Sequence, residues 1–324
     1  MVKYGLIAVS SILPRFVEGL KNSQDSQAWA LSSRDLAKAK TFAETYDIPY
    51  YYDDYHQLLK NPEVAVVYIS STNLTHYQIA RDALLAGKST IVEKPFTATY
   101  QEAEDLVKLA KEKSLFLMEG QKVLFLPTTA KIKELIDAGV LGSIEYFYLP
   151  ASSFYDFSER PWMNSYQEAG GALMGSSSYG MAFVSYLTNS KIVTAQALES
   201  HLPGQADYLT SLSFQTASGV ICNTILGGRI QTVNQCYIYG TAGHIMVENF
   251  WKSKGFTLAL TGQSSRYFDF PYQSEFTFYI DHVSQLLRAG KTESPIMTLD
   301  LSLQSMKYMD RFLQEYKEKA KNEY

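Results

Sequence analysis

Short apolar runs alternate with amphipathic helical periods through the first 119 residues of this chain, and no other feature restricts the fold as much. The runs Tyr4–Val9, Gln27–Leu31, Tyr50–Tyr52, Val64–Ser70, Ser89–Glu93 and Leu115–Glu119 read as strands. Between the first two, Leu13, Phe16, Val17 and Leu20 recur at helical spacing. Pro14 sits in the first turn, where the missing N–H would be unpaired anyway. A second helix follows Ser33, with Leu36, Ala39, Phe42, Ala43 and Tyr46 on one face. A third covers Tyr55–Leu59, and a fourth runs from Thr75 to Gly87, a glycine suited to ending it. The fifth opens on Thr99-Tyr100-Gln101-Glu102, the pattern of a capping box. This alternation predicts an α/β fold with a doubly wound parallel sheet. Ligands of such sheets lie at the carboxyl ends of the strands, so the residues after each strand carry the functional information.

After Glu119 the pattern changes. A helix at Thr128–Ala138 leads to a strand at Ile144–Leu149, a long aromatic loop and a helix at Met174–Leu187. Strand-like runs follow one another at Ile192–Leu198, Tyr208–Phe214, Val220–Leu226 and Cys236–Tyr239, and helices at about Phe276–Ala289 and Leu299–Lys319 close the chain. Successive strands predict a C-terminal α+β domain with a large open, mainly antiparallel sheet. The expected division is therefore 1–119 and 120–324, with a homodimer or higher homo-oligomer covering the open sheet. A net charge of -4 gives no electrostatic reason for nucleic-acid binding. No run approaches the roughly 18 apolar residues of a membrane helix, and the N-terminus lacks a secretory pattern, so a cytoplasmic protein is expected. Cys222 and Cys236 read as small core residues, and the five histidines show no metal spacing.

The segment GLIAVSSILPRF, Gly5 to Phe16, stands where a dinucleotide-binding chain has its phosphate loop. Ala8, Ser10 and Leu13 occupy the three glycine positions of G-x-G-x-x-G. Read alone, the loop leaves open whether a nucleotide binds; the hydroxyls of Ser10 and Ser11 are candidate phosphate donors, with Ile12 at the helix start. The end of the second strand says more. An NAD enzyme offers a carboxylate to the ribose about 20 residues past the loop, whereas this chain has Ser33 and Arg34, which suit the 2′-phosphate of NADP. After the fourth strand come Ser71, Asn73 and His76, and after the fifth comes Glu93-Lys94-Pro95. Lys94 is placed to polarise a substrate oxygen or shuttle its proton.

With YGLIAVSSI, SSRDLAKAKTFAETYDIP, VVYISSTNLTH, GKSTIVEKPF and GGALMGSSSYG in order, the chain resembles the Gfo/Idh/MocA oxidoreductases over essentially its whole length. Within them it is similar to the branch of dimeric dihydrodiol dehydrogenase and NADP-dependent D-xylose dehydrogenase. The resemblance implies a Rossmann-type first domain that holds NADP, with NAD second. It makes Lys94 the catalytic lysine, sets Glu93 beside the nicotinamide, and matches Asn73 and His76 to the family's residues after the fourth strand. Tyr179 matches the proton-transferring tyrosine, while Gly175 stands at that motif's aspartate, Ser177 at its glycine and Thr72 at the usual proline. A phenol titrates near pH 10 by itself, and an adjacent ammonium lowers that value. Asp156, Arg160, Trp162 and Tyr166 in the long loop are candidates for the substrate pocket or for a surface or subunit contact. The implied reaction moves a hydride between the nicotinamide and a carbinol carbon of a sugar, polyol or dihydrodiol-like substrate. The alternative is a catalytically weak or inactive NAD(P)-sensing regulator on the same fold.

Overall fold

The computed structural model describes residues 1–154 and 160–322. By contact the chain forms two compact units, Met1–Lys122 with Gln273–Leu303, and Val123–Tyr272 with Gln304–Tyr324. A single cut near residue 120 leaves out the return of Gln273–Leu303 to the first unit. Among the described residues, no helix is long and apolar enough to cross a membrane.

The first unit is built on β1 (Val2–Ile7), β2 (Ser26–Ser32), β3 (Tyr50–Tyr52), β4 (Val66–Ile69), β5 (Ser89–Val92) and β6 (Leu117–Glu119), all parallel, in the order β3-β2-β1-β4-β5-β6. That order places the switch point between β1 and β4. The connecting helices are α1 (Leu13–Asn22), α2 (Leu36–Tyr46), α3 (Tyr55–Leu59), α4 (His76–Leu85) and α5 (Tyr100–Lys113). The capping box that opens α5 is complete, with Thr99 accepting from Glu102 N–H and the Glu102 carboxylate accepting from Thr99 N–H. Phe16 of α1 stacks on Tyr68 of β4, with ring centroids 3.6 Å apart, and so ties α1 to the sheet beside the switch point. The returning helix Thr277–Arg288 adds Phe276 and Tyr279 to this aromatic cluster. Its Ser284 shares hydrogen bonds of 2.9 Å with Tyr4 Oη and 2.8 Å with Ser26 Oγ. These hydroxyls are buried, so pairing removes a desolvation cost that either side alone would carry.

The second unit contains α6 (Pro127–Asp137), β7 (Ile144–Tyr148), β8 (Ala151–Ser152) and α7 (Ala172–Thr188). Then follow β9 (Ile192–His201), β10 (Asp207–Thr216), β11 (Ile221–Gly227), β12 (Gln235–Gly240), β13 (Gly243–Glu248), β14 (Gly255–Leu260) and β15 (Arg266–Asp269). They form a nine-stranded sheet in the order β15-β14-β13-β12-β7-β11-β10-β9, with β8 beside β11. Pairing is antiparallel except where β7 and β8 meet β11. One face is apolar and buried, including Phe147, Leu212, Phe214, Cys222, Ile238 and Ile245, and α7 packs on β10 and β11. The opposite phase carries Tyr146, Tyr237 and Tyr239, partly open, with Tyr146 stacked on Tyr239. Cys222 and Cys236 are free thiols in the buried face.

The start of α7 depends on a side chain from another element. Asp207 Oδ2 accepts Leu173 N–H at 2.8 Å and the Thr210 hydroxyl at 2.6 Å, although burial pushes this carboxyl up to about 7. The carboxylate reaches the helix only because Gly171, at φ +101°, has no side chain; a methyl there would overlap Asp207 Oδ1. Gly171→Ala therefore combines a forbidden φ with a displaced cap. We expect a loss of roughly 2–4 kcal/mol in urea unfolding, against an Ala182→Gly control, which lowers α7 propensity and removes a buried methyl but leaves the cap in place.

Candidate active site

The loop after β1 shows how the missing glycines are accommodated. Ala8 adopts φ +79°, the left-handed conformation a glycine would take, and its N–H binds Ser32 O at 2.9 Å. Ser10 Oγ donates to Ser70 Oγ at 2.8 Å, and Ser70 Oγ donates to Ala8 O at 3.3 Å. The Ser10 proton is thus given to the end of β4, a correction to its reading as a phosphate donor. Ser11 is exposed and Ile12 half-buried. Helix α1 begins at Leu13 with no side-chain cap and no acidic residue in its first turn. Its positive dipole end is open, and with small residues before it this donor set fits a pyrophosphate. Leu13 is fully buried, so the third glycine position serves packing.

At the end of β2, Arg34 is exposed and makes no ion pair among the described residues. The helix begins after it. Asp35 is the N-cap of α2, its Oδ1 accepting Lys38 N–H at 3.1 Å, and Ser33 Oγ accepts Asp35 N–H at 3.4 Å. The nearby carboxylate is therefore committed to a cap, and Arg34 stands one residue before it.

The ends of β4 and β5 bring the next group together. Ser71 is half-buried and Asn73 is buried in the short turn Asn73–Thr75 that leads to α4. His76, also buried, has Nδ1 2.8 Å from Pro95 O and Nε2 3.1 Å from Ser71 O. Burial lowers its pKa, so the ring is neutral near pH 7. Both nitrogens face backbone carbonyls, and the neutral ring, with a single N–H, donates to one of them, so His76 bridges the loop after β4 and the loop after β5 through one hydrogen bond at a time. The bridge reaches Lys94-Pro95, joined by a cis peptide, with Lys94 half-buried. Glu93 is buried; Oε1 accepts the Tyr68 hydroxyl at 2.7 Å and Oε2 accepts Lys94 N–H at 3.3 Å. Burial raises its carboxyl pKa against the opposing pull of Tyr68, Lys94 and Lys122.

Sequence reasoning passed over several neighbours. Glu119, at the end of β6, is 1 % exposed, and burial pushes its carboxyl up to about 7. Gln121 Nε2 donates to Glu119 Oε1 at 3.0 Å, while Glu119 Oε2 has no hydrogen-bond partner. Lys122 is buried and ion-paired to Glu275 at 2.9 Å, and Arg15 meets the same carboxylate. The usable signal was position: Glu119 ends a strand of the same parallel sheet as Glu93.

In the second unit, Tyr179 and Gly175 lie one turn apart on α7 and are half-open, while the other residues from Ala172 to Gly180 are buried. A Cβ at Gly175 would meet nothing within 4 Å, so the missing carboxylate leaves space. Arg160 and Trp162 are half-buried around the short turn Pro161–Asn164. Tyr166 differs from expectation. It is 5 % exposed and packs on the rings of His201 and Tyr316, which makes it a core residue rather than a pocket wall. Asp156 lies outside the described residues. Among the described residues, no group of His, Cys, Asp or Glu could hold a metal ion.

Residues 2–121 match the family model described as oxidoreductase family, NAD-binding Rossmann fold, and residues 129–246 match the GFO/IDH/MocA C-terminal domain. The chain belongs to the Gfo/Idh/MocA oxidoreductase family. This oxidoreductase is 29% identical to the trans-1,2-dihydrobenzene-1,2-diol dehydrogenase of Xenopus tropicalis over 331 residues, covering 97% of both chains. The human protein of the same name is 27% identical, over 93% of this chain and 92% of its own. Among solved structures, an aldose-aldose oxidoreductase from Caulobacter crescentus complexed with glycerol superposes with a TM-score of 0.86 at 23% identity over 98% of both chains. A 3-ketoreductase from Actinomadura kijaniata with NADP and TDP-benzene gives 0.84 at 22% identity, over 95% of this chain and 96% of that one. Levoglucosan dehydrogenase with NADH and levoglucosan gives 0.86 at 18% identity over 98% of both. At these identities the structures establish the fold.

Ala8 holds a conformation that costs an L-residue roughly 1–2 kcal/mol. Ala8→Gly should therefore stabilise the oxidoreductase by about 1 kcal/mol, a rise of a few degrees in thermal unfolding. An unchanged or lowered midpoint would remove the strain argument.

Proposed function

We propose that this oxidoreductase uses NADP to transfer a hydride to or from a carbinol or carbonyl carbon of a sugar, polyol or dihydrodiol-like substrate. One observation carries the reading: Glu93-Lys94 stands at the carboxyl end of β5, beside the His76 bridge, in a chain that aligns end to end with named diol dehydrogenases. The named substrates of its relatives and structural neighbours, a dihydrodiol and several sugars, support the substrate class. Neighbours of this fold hold NADP or NADH, so the choice of cofactor rests on this chain's own Arg34. Exposed, and without a free carboxylate beside it, the guanidinium suits a bidentate contact to a 2′-phosphate.

When bound, the nicotinamide supplies or accepts the hydride. In this reading the backbone of Ala8, Ser10, Ser11 and Ile12 and the open end of α1 hold the pyrophosphate, and Ser33 with Arg34 holds the 2′-phosphate. Ser71, Asn73 and Glu93 line the cofactor cleft. Lys94 polarises the substrate oxygen, Tyr179 exchanges its proton, and Arg160 and Trp162 face the substrate. The partly open aromatic face of the second sheet supports assembly into a homo-oligomer.

A regulator that binds NAD(P) without turnover is favoured by one observation, the glycine at position 175. NADPH fluorescence titration followed by a polyol and sugar oxidation screen separates the readings. We expect binding and turnover; binding alone supports the regulator, and no binding of NADP or NAD removes both. Arg34→Ala should weaken NADPH roughly 10- to 100-fold and NADH little. Equal effects would contradict the 2′-phosphate role. Lys94→Ala and Tyr179→Phe should each lower kcat by about 100-fold or more. If both variants keep wild-type turnover, the assignment of the proton-transfer residues is wrong.

A further inference from the structure

Tyr179 stands on a stretch of α7 that is weak as a helix. Gly175-Ser176-Ser177-Ser178-Tyr179-Gly180 contains two glycines and three serines, all poorer helix formers than alanine, and nothing lies within 4 Å of where a Gly175 Cβ would be. The helix has no cap of its own either: Gly171 offers no side chain, and the first turn holds no acidic residue. Ala172, Leu173 and Met174 are buried, so N–H groups without intrahelical partners need partners from elsewhere in the protein. Order at this end comes from β10. Asp207, 1 % exposed, accepts Leu173 N–H at 2.8 Å, and the Thr210 hydroxyl, donating at 2.6 Å, fixes the oxygen that does so. The carbonyl of the same leucine is held from within the helix, since Ser177 Oγ donates to Leu173 O at 2.6 Å. The turn before the helix is tied to the same place: Ala206 N–H binds Asn164 O at 2.9 Å, and Gly171 N–H binds Met163 O at 2.8 Å.

We propose that Asp207 is a positioning residue for the reaction: by holding Leu173 it fixes the first turns of α7, and through them it places the Tyr179 hydroxyl. The chain of contacts is short. Asp207 binds Leu173, Leu173 binds Ser177, and Tyr179 lies two residues further along the same helix. Local propensity does not hold this stretch, so a loosened start is transmitted to Tyr179 instead of being absorbed before it. Thr210 belongs to the same device, because its hydroxyl keeps the carboxylate turned towards the helix. The effect on catalysis rests on the proton-exchange role proposed for Tyr179; the hold on the helix does not.

Hydrogen exchange of the full chain, read by mass spectrometry, tests the hold without substrate or cofactor. Asp207→Ala, and the milder Thr210→Val, should speed exchange of residues 172–180 roughly tenfold more than that of residues 183–188. Kinetics with saturating cofactor and the substrate found in the oxidation screen test the positioning. Both variants should lower kcat roughly tenfold and leave the cofactor KM within about twofold of wild type. In a Tyr179→Phe background, Thr210→Val should change the residual turnover by less than about twofold, because the hydroxyl it helps to place is gone. Val184→Ala, which trims a buried side chain later in α7, should keep wild-type kcat. If Asp207→Ala does not fold, Thr210→Val carries both measurements. Exchange that is unchanged, or faster by the same factor along the whole helix, overturns the proposal. Equal losses of turnover with and without the Tyr179 hydroxyl, or a similar loss in Val184→Ala, overturn it as well. If exchange quickens at 172–180 but Tyr179→Phe keeps wild-type turnover, or no substrate is turned over, the proposed reaction fails and the positioning role with it, while the hold on the helix stands.

Discussion

Parallel pairing of β1 with β4 is the constraint on which the first unit depends. The chain leaves β1 through α1 on one side and continues from β4 towards β5 on the other, so the loops after these strands diverge and open the carboxyl edge. Register then fixes what stands there. Ile7 pairs with Ile69, Ile69 with Val92 and Val92 with Glu119, which brings Ala8, Ser70, Glu93 and Gly120 to one level. A one-residue slip would turn these side chains to the other face and bury the wrong set. Phe16 on Tyr68 resists that slip, because the stacked pair joins α1 to β4 directly and the Tyr68 hydroxyl also holds Glu93.

Burial sets the electrostatics of this edge. For His76, Glu93 and Glu119 the largest influence on pKa is desolvation, and hydrogen bonds and neighbouring charges only moderate it. The result is a neutral histidine and two carboxyls that resist ionisation, beside a half-buried lysine. A site of this kind holds few net charges although it contains many ionisable groups. The acidic composition of the whole chain says nothing about it, since most of those groups are solvated.

What could be read in advance was what depends on local periodicity. The strands of the first unit, the helix over Tyr55–Leu59 and the Thr99–Glu102 box follow from spacing and capping chemistry within a few residues, and the structure has them. The strands β13 to β15 were not among the expected runs, although they are no shorter than β3 and β6. The return of Thr277–Arg288 was hidden for a physical reason. Its partners Tyr4 and Ser26 lie more than 250 residues away in sequence, and a serine on a helix face carries no mark of the hydroxyl it will meet. The same applies to the site. Position after a strand pointed to Glu93, Lys94 and Arg34, but only geometry shows that His76 is a bridge, that Tyr166 is interior and that Ser10 turns to Ser70.

The two departures from the family pattern have different physical standing. At position 10 a side chain replaces the glycine that lets backbone approach phosphate, yet Ser70 draws that side chain toward the sheet. Of the common small residues, serine can occupy this place with a partner; a valine would leave Ser70 without its donor and project a branched side chain into the loop. The substitution is thus compensated inside the molecule. At position 175 there is no such compensation. A glycine inside a helix costs about 1 kcal/mol relative to alanine, and nothing packs where its Cβ would be. Stability offers no reason for it. The space it leaves lies one turn from Tyr179 on the half-open face of α7.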